Sequence, residues 1–438
     1  MRLQLDAGVR RFDGNSVLLG GSPTRLLRLG ATGSLLLDTW LAGTPVDHEP
    51  TARALARRLL DAGIVHPATD PGSPATTVVT LVVPVRNNPR GLARLLAATA
   101  GIADRIVVDD GSDVPIGDAT IRHDRSRGPA AARNTGWRRA ATQLVAFLDS
   151  DTIPDPGWLD SVVPLFDDPS VAAVAPRIAS LTTGPVGHYE ARRSSLDMGP
   201  EPAPVRPDGR VRYVPSASLV VRAAALQAVG GFDESLRFGE DVDLVWRLLA
   251  AGHGVRYQPL STVRHTPRAS IRAFLRQRFD YGTSAAPLSQ RHPDLLYPAH
   301  LPAVIAAQAA LAVAGQPAAA TIPSVVTTIR TARELHHRHI PLPTATALAV
   351  NRQLGLIRQL ADALRRVWWP LALCSRRGRR LLLAAYLAAA AESLRDGSGV
   401  ILRIADDLAY GLGVWTGCLT HRTIRPLTPR FHRTRKRS

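Results

Sequence analysis

Two clusters of carboxylates carry the chemistry that this chain suggests. In "FLDSDTIPDPGW" (147–158) an apolar stretch runs straight into Asp149 and Asp151, with only Ser150 between them. In "FGEDVDLVWRLL" (238–249) Glu240 and Asp241 are adjacent, and Asp243 follows. Carboxylates at the first spacing suit a hard divalent cation, which takes a few protein oxygens and completes its shell with phosphate and water. The bland alternative is an Asx-rich loop, which does not explain why the triplet follows a buried strand. The second cluster stands where a helix should start. Acidic side chains there favour the positive helix end without any catalysis. They can equally take a proton from an attacking hydroxyl, a contribution of ~10²–10⁴-fold in general-base catalysis.

The elements that must position these groups follow from periodicity. "VVTLVVPVRNN" reads as a buried strand, "PRGLARLLAATAG" as a helix, and "RIVVDDGS" as a second strand ending on Asp109-Asp110. "GPAAARNTGWRRAAT" is again helical, and "QLVAFLDSD" is a third strand. Strands alternating with helices predict a parallel sheet with crossover helices. Ligands gather at the carboxyl ends of such strands, which is where these acidic groups fall.

This α/β core is expected over 78–285. Ahead of it, residues 1–70 show short strands around a Gly-Gly turn in "RRFDGNSVLLGGSPTRLLRLG", then two helical patterns that each end at a glycine. That pattern predicts a small winged-helix module, and "HPATDPGSPATT" (66–77) reads as a Pro/Gly/Ser/Thr linker. Behind the core, 286–438 reads as helical. Its segment 301–329 has no charged residue, which reaches the length of a membrane span, yet it is alanine-rich and interrupted by Pro317 and Pro323. A packed helical bundle and attachment to an anionic membrane face through amphipathic helices and the basic tail "TPRFHRTRKRS" are both open.

Composition bounds the partners. The 438 residues carry a net charge of +18, almost all of it from arginine, with Lys436 the one lysine. Such a surface attracts anionic lipid, phosphorylated substrates or nucleic acid. No nucleic-acid motif accompanies the charge, so no nucleic acid is expected as a partner. Cys374 and Cys418 form neither a metal pattern nor a disulfide framework, which suits a reducing compartment. "MRLQLDAGVRRFDG" lacks a long apolar run, so no secretory signal is expected. The expected location is the cytoplasmic side of the cell membrane, or otherwise the cytoplasm.

The segments "TLVVPVRNN", "IVVDDGS", "RGPAAARNTGWRRA", "FLDSDTIPDPGWL" and "GGFDESLRFGEDVDLVWRL" occur in this order. Together they resemble a family 2 glycosyltransferase with the GT-A fold, a Rossmann-like nucleotide-diphospho-sugar transferase core. The front module is similar to PqqD-like peptide-recognition domains, although a cap that binds nothing has the same pattern. The whole order of regions resembles the glycosyltransferases of the mycofactocin system. That likeness implies UDP-glucose as the donor, a peptide-derived redox cofactor as the acceptor, and a short β-1,4-glucan as the product. The runner-up is a membrane-associated family 2 enzyme acting on a lipid or cell-wall polysaccharide.

The resemblance also assigns roles. Asp151 becomes a ligand of Mg²⁺ or Mn²⁺, with Asp149 toward the donor ribose or a metal-bound water. Pro84, Arg86 and Asp110 line the nucleobase end, and Arg133 and Asn134 approach the donor. Asp241 becomes the general base, supported by Glu240. His265 in "STVRHTP" either touches the metal or diphosphate or is structural. Ser216 and Ser218 in "VPSASLVV" lie on the acceptor side. "FLRQRFDYG" departs from the QxxRW segment of processive synthases, since Gln277 and Arg278 are adjacent and no Arg-Trp pair follows. Long processive synthesis is therefore not expected, while Arg278 is a candidate for phosphate, because a guanidinium binds phosphate in bidentate fashion.

Overall fold

The short, turn-rich start of the chain folds as a small α+β module. In the computed structural model, which describes residues 1–68 and 78–431, β1 (Arg2–Leu5) pairs antiparallel with β5 (Val65–Ala68). Between them β2 (Arg10–Phe12), β3 (Val17–Gly20) and β4 (Arg25–Arg28) form an antiparallel meander. Gly21, at φ +86°, starts the turn from β3 to β4, where a Cβ would also strike the Ala62 carbonyl. Helices α1 (Ala31–Leu41) and α2 (Pro50–Ala62) cover the meander. Leu18, Leu37, Trp40, Leu59, Leu60 and Ile64 close a core belonging to this module. The expected linker begins later than its composition suggests. His66 is buried in β5 with its ring on Asp6 (2.8 Å), and 69–77 lie outside the described residues.

The sheet that carries the site is built from β6 (Val79–Val85), β7 (Arg105–Asp109), β8 (Ile121–Arg122), β9 (Leu144–Leu148), β10 (Thr152–Pro154), β11 (Val171–Ser180), β12 (Ala203–Pro204), β13 (Ser218–Arg222) and β14 (Gly254–His265). Its order is β10-β14-β11-β13-β9-β6-β7-β8, with β12 added beside β14. Helices α3 (Pro89–Ala98) and α4 (Pro129–Trp137) make the crossovers. Strands β8, β7, β6 and β9 are mutually parallel, as the alternation predicts. The remainder is mixed, because β13 runs antiparallel to both β9 and β11. Sequence order reverses on either side of β6, with β7 on one flank and β9 on the other, which makes the carboxyl end of β6 a switch point. Leu81, Val83, Leu92, Leu95 and Leu148 fill the core beneath that rim. Helices α5 (Gly184–Arg193), α6 (Ala223–Val229) and α7 (Glu240–Ala250) complete this unit, which ends at Pro267.

The second unit, Arg268–Ser438, is helical, and its start lies ahead of the expected boundary at 285. Its elements are α8 (Ile271–Thr283), α9 (Ala285–Arg291), β15 (His300–Leu301), α10 (Ala303–Val313), α11 (Pro317–His337), α12 (Leu342–Arg366), α13 (Trp369–Leu373), α14 (Arg376–Asp396), α15 (Val400–Thr420) and β16 (Arg430–Phe431). Helices α8 and α15 touch backbone to backbone, for a Cβ on Gly417 would lie 2.6 Å from the Thr283 carbonyl. The uncharged segment 301–329 is divided at Gly315 (φ +81°) between α10 and α11. Among the described residues no helix is long and apolar enough to cross a membrane.

Candidate active site

Arg133 joins the two acidic clusters. It sits on α4, which Gly128 (φ +95°) and Pro129 start, and its side chain is buried. Its Nη2 donates to Asp149 Oδ1 (2.6 Å) and its Nη1 to Glu240 Oε1 (2.8 Å), while the guanidinium lies over the Phe232 ring. Burial works against its charge, but Asp149, Glu240 and Asp241 outweigh that and hold its pKa above the ordinary arginine value. The chain just before β13 touches both rims as well. The Asp149 N–H donates to the Ala217 carbonyl (3.1 Å), and the Ser216 N–H donates to Asp241 Oδ2 (3.3 Å). The carboxylates that sequence spacing set apart therefore face one place.

The second rim is tuned by its surroundings. Gly239, at φ +80°, precedes α7, so Glu240, Asp241 and Asp243 occupy its first turn. Burial, with the neighbouring Asp241 charge next, pushes Glu240 up to about 7 against the pull of Arg133. Burial also raises Asp241, opposed by Arg133 and by N–H groups from Val242 and Ser216. Glu240 thus titrates near neutrality, with Asp241 raised beside it. Asp243 instead binds Arg247 one turn on (2.7 Å), so it supports the helix.

At the first rim, β10 pairs with the end of β14, placing Thr152 opposite His265. That register brings His265 Nε2 to 3.4 Å from Asp151 Oδ2, while the Thr266 N–H donates to the Asp151 carbonyl (2.9 Å). A carboxylate and an imidazole form a small donor set. Among the described residues no group of three or more His, Cys, Asp or Glu side chains could hold a metal ion. Two protein donors fit a Mg²⁺-like ion that is held mainly by substrate phosphate and water, and not a closed structural cage.

A glycosyl transferase family 2 profile matches residues 80–225, the stretch that carries the first rim and Arg133. Pre-mycofactocin glycosyltransferases of two Mycobacterium tuberculosis strains, CDC 1551 and H37Rv, are each 42% identical to this chain over 468 aligned positions, covering 98% of it and 97% of their own length. The chain belongs to the pre-mycofactocin glycosyltransferase family. A succinoglycan biosynthesis protein of Rhizobium meliloti is 28% identical over 42% of this chain and 60% of its own. Among solved structures, a mannosyltransferase from Pyrobaculum calidifontis, in complex with GDP-Man and Mn²⁺, aligns at 17% identity over 80% of this chain and 89% of its own, with a TM-score of 0.46.

Within this family 2 glycosyltransferase the other expected site residues divide. Pro84 and Arg86 lie at the carboxyl end of β6, beside the end of β7, with Arg86 exposed. Asp110, expected at the nucleobase end, also holds its own loop. Its two oxygens accept from His123 Nδ1 (2.8 Å), Ser126 Oγ (2.8 Å), and the N–H groups of Arg127 (2.8 Å) and Gly128 (2.9 Å). Four donors saturate a carboxylate, so Asp110 shapes the loop that launches α4. Asn134 is likewise committed. Its amide donates to the Phe232 carbonyl (2.8 Å) and Glu234 (2.9 Å), and its oxygen accepts from the Phe232 N–H and Trp137 Nε1 (2.9 Å each). It clamps "GGFDES" onto α4. Ser218, expected on the acceptor side, is fully buried in β13 opposite Leu148. Ser216 is also buried and acts through its N–H. Arg278 lies in the helical unit, buried, 3.4 Å from Asp406 and over the Phe274 and Tyr281 rings, so its guanidinium is used in helix packing.

One positioning residue escaped the motif reading. Asn88 caps α3 by accepting from the Gly91 N–H (3.1 Å), and its amide donates to the Ser150 carbonyl (3.2 Å) and Oγ (3.1 Å). A Cβ on Gly91 would collide with that same carbonyl. The "NNPRG" stretch, a cap residue followed by Pro at the first helical position, was the available signal.

Proposed function

We propose that this glycosyltransferase moves glucose from UDP-glucose onto pre-mycofactocin, a peptide-derived redox cofactor precursor, with inversion at the anomeric carbon, and builds a short β-1,4-glucan. The acceptor is supported by the name of relatives that match along nearly the whole chain. The donor and the linkage rest on the likeness of the ordered motifs. The reaction type is supported by the Asp149–Arg133–Glu240 bridge, which joins the two acidic rims that this reading makes the cation-binding and proton-accepting sides of one site. In this reading Asp151 and His265 hold Mg²⁺ or Mn²⁺, which when bound offsets the charge growing on the departing UDP diphosphate. Asp241 takes the proton of the acceptor hydroxyl as its oxygen bonds to the anomeric carbon and the bond to the diphosphate oxygen breaks. Glu240 and Arg133 set the charge around it. The front module, with its own core, is proposed as a PqqD-like holder of the peptide-derived acceptor.

UDP release from UDP-glucose with Mg²⁺ or Mn²⁺, read together with hexose ladders on the acceptor by mass spectrometry, tests this. Asp241→Asn should keep donor binding and lose transfer, whereas Asp151→Ala should lose both. Full transfer by Asp241→Asn would remove the assigned base.

A location at an anionic membrane surface is proposed from the helical unit. On α11, Ile322, Val325, Val326 and Ile329 are exposed at i, i+3, i+4 and i+7 spacing. On α14, Leu383, Leu387 and Leu394 are exposed on a helix that begins with the exposed Arg376, Arg377, Arg379 and Arg380. Apolar stripes beside arginines are the pattern of interfacial helices. Cosedimentation with phosphatidylglycerol vesicles, lost at high salt and absent with neutral vesicles, is the expected result. The same surface would favour a lipid-linked acceptor, the second reading of the substrate.

A further inference from the structure

A second cleft lies where the front module meets the sheet, away from the catalytic rims. It has a volume of ≈ 410 Å³, and its walls include Arg57 and Asp61 of α2, Arg206, and His253 and Arg256. The helix α7 begins at Glu240, but its far end, Leu249, lines this cleft. The strand β14 begins here at Gly254 and finishes at His265, beside Asp151. The cleft thus occupies the opposite rim of the sheet from the reaction.

Three arginines, Arg57, Arg206 and Arg256, face two carboxylates, Asp61 and Asp208, across this cleft. Arg57 is satisfied by Asp168 (2.7 Å), Asp61 and Ser170 Oγ (2.7 Å). Arg206 reaches the same Asp61 at 3.8 Å. Arg256 is only 5% exposed, and among the described residues its Nη2 has no acceptor and no carboxylate forms an ion pair with it. Burial, with the Arg57 charge second, pulls its pKa down to about 10, so it stays a cation at neutral pH. Asp168 and Asp61 offset this in part from a distance, but a buried guanidinium without a direct ion pair still costs stability, because its desolvation is not fully offset. Folded chains keep such a group where something else supplies the anion.

We propose that this cleft is a ligand site for an oxyanion, a phosphate or carboxylate group seated on Arg256 with Arg206 as the second cation. A cleft of this volume is in the range of small-molecule sites, ~300–1,000 Å³. The ligand lies between α2 of the front module and the β12–β14 edge of the sheet, so its binding ties the module to the catalytic core. The phosphate of a free nucleotide or pyrophosphate and the terminal carboxylate of a short peptide offer the same chemistry.

Thermal unfolding of the full chain at fixed ionic strength separates the outcomes. Pyrophosphate is titrated in one arm and a blocked dipeptide with a free carboxylate in the other. Wild type should show a saturable rise in Tm in at least one arm, and the arm that responds names the source. Arg256→Met should unfold at a higher temperature than wild type without ligand, since an unpaired buried charge is gone, and should lose the ligand-dependent rise. Arg206→Gln, a change at the cleft mouth, should keep the ligand-free Tm and weaken the apparent affinity about tenfold, consistent with the loss of one charge-assisted contact. No saturable rise with either probe overturns the proposal. So does a rise of equal size in Arg256→Met, or, if that variant does not fold, an unchanged titration in Arg206→Gln.

Discussion

Replacing Arg133 with Met tests the bridge between the two acidic rims most directly. Methionine keeps most of the side-chain volume and can still lie against Phe232, so the change is chiefly one of charge. Two contacts are lost, to Asp149 and to Glu240. The Asp149 side chain is 31% exposed and water can take over part of its solvation, so its contribution is discounted. Glu240 is buried, and Asp241 stands next to it. Removing one partner of a buried ion pair costs about 3–5 kcal/mol, because the other is left desolvated. For a unit of this size each kcal/mol moves Tm by roughly 2–4 °C, so Tm should fall by about 10 °C. Two further readings distinguish charge from packing. The loss should shrink as pH falls below neutrality, because Glu240, raised to about 7, is then protonated and no longer needs a counter-ion. Adding Glu240→Gln to Arg133→Met should recover more than half of it. A loss below about 1 kcal/mol, or an equal loss with and without Glu240→Gln, would refute the argument that Arg133 is held by charge. Denaturant unfolding read by tryptophan fluorescence, with UDP release on the same samples, supplies both numbers.

Other consequences can be checked in the same assays. Since Glu240 is raised to about 7 and Asp241 is raised with it, kcat/KM should fall as pH drops through neutrality, when the pair gains a proton and the base is lost. Glu240→Gln should move that limb to lower pH. Asn88→Ala frees the Ser150 carbonyl and removes the α3 cap, so the KM for the donor should rise several-fold while stability falls by about 1 kcal/mol, the usual worth of a helix cap. In the helical unit, Gly413→Ala drives a methyl group into the Phe279 carbonyl and should cost about 1–3 kcal/mol by forcing α8 and α15 apart, read as a lower unfolding midpoint. His265→Ala should raise the Mn²⁺ concentration needed for half-maximal turnover, leaving activity in saturating metal closer to wild type than Asp151→Ala does.

What could be read from residues alone was local. A short apolar run that meets a carboxylate marks the end of a buried strand, as at β7 and β9, whereas β6 gives way to Arg86 and two asparagines. Period two, however, says nothing about direction. "SLVVR" reads identically up or down, and its antiparallel place between β9 and β11 makes the sheet mixed. The same limit applies to expected site residues that carry structural bonds. Asp110 and Asn134 are polar, one at a strand end and the other on α4, and of the right chemical type. Their capacity is consumed by His123, Ser126 and Gly128 in one case and by Phe232 and Glu234 in the other. No spacing rule shows whether a carboxylate has a lone pair left for a ligand.

Arg133 shows why the most informative contact was the least legible. Its partner Asp149 is 16 residues away, but Glu240 is 107 residues away, and their meeting depends on where β13 lies. That strand crosses back beside β9 and brings Ser216 and Ala217 to the rim, one hydrogen-bonded to Asp241 and the other to Asp149. Only then does α7 present Glu240 to a guanidinium on α4. The acidic groups are visible in the sequence because each cluster is short. The charge that lets them coexist is not, because a single buried cation serving both clusters looks, in a chain with 54 basic residues, like any other arginine. The exposed arginines answer to solvent, whereas Arg133 and Arg256 are both buried, one bonded to carboxylates and the other, among the described residues, without a direct ion pair. Burial without a chain partner is thus the property that separates a ligand-facing arginine from a structural one, and it can be read only after the fold has decided which charges meet.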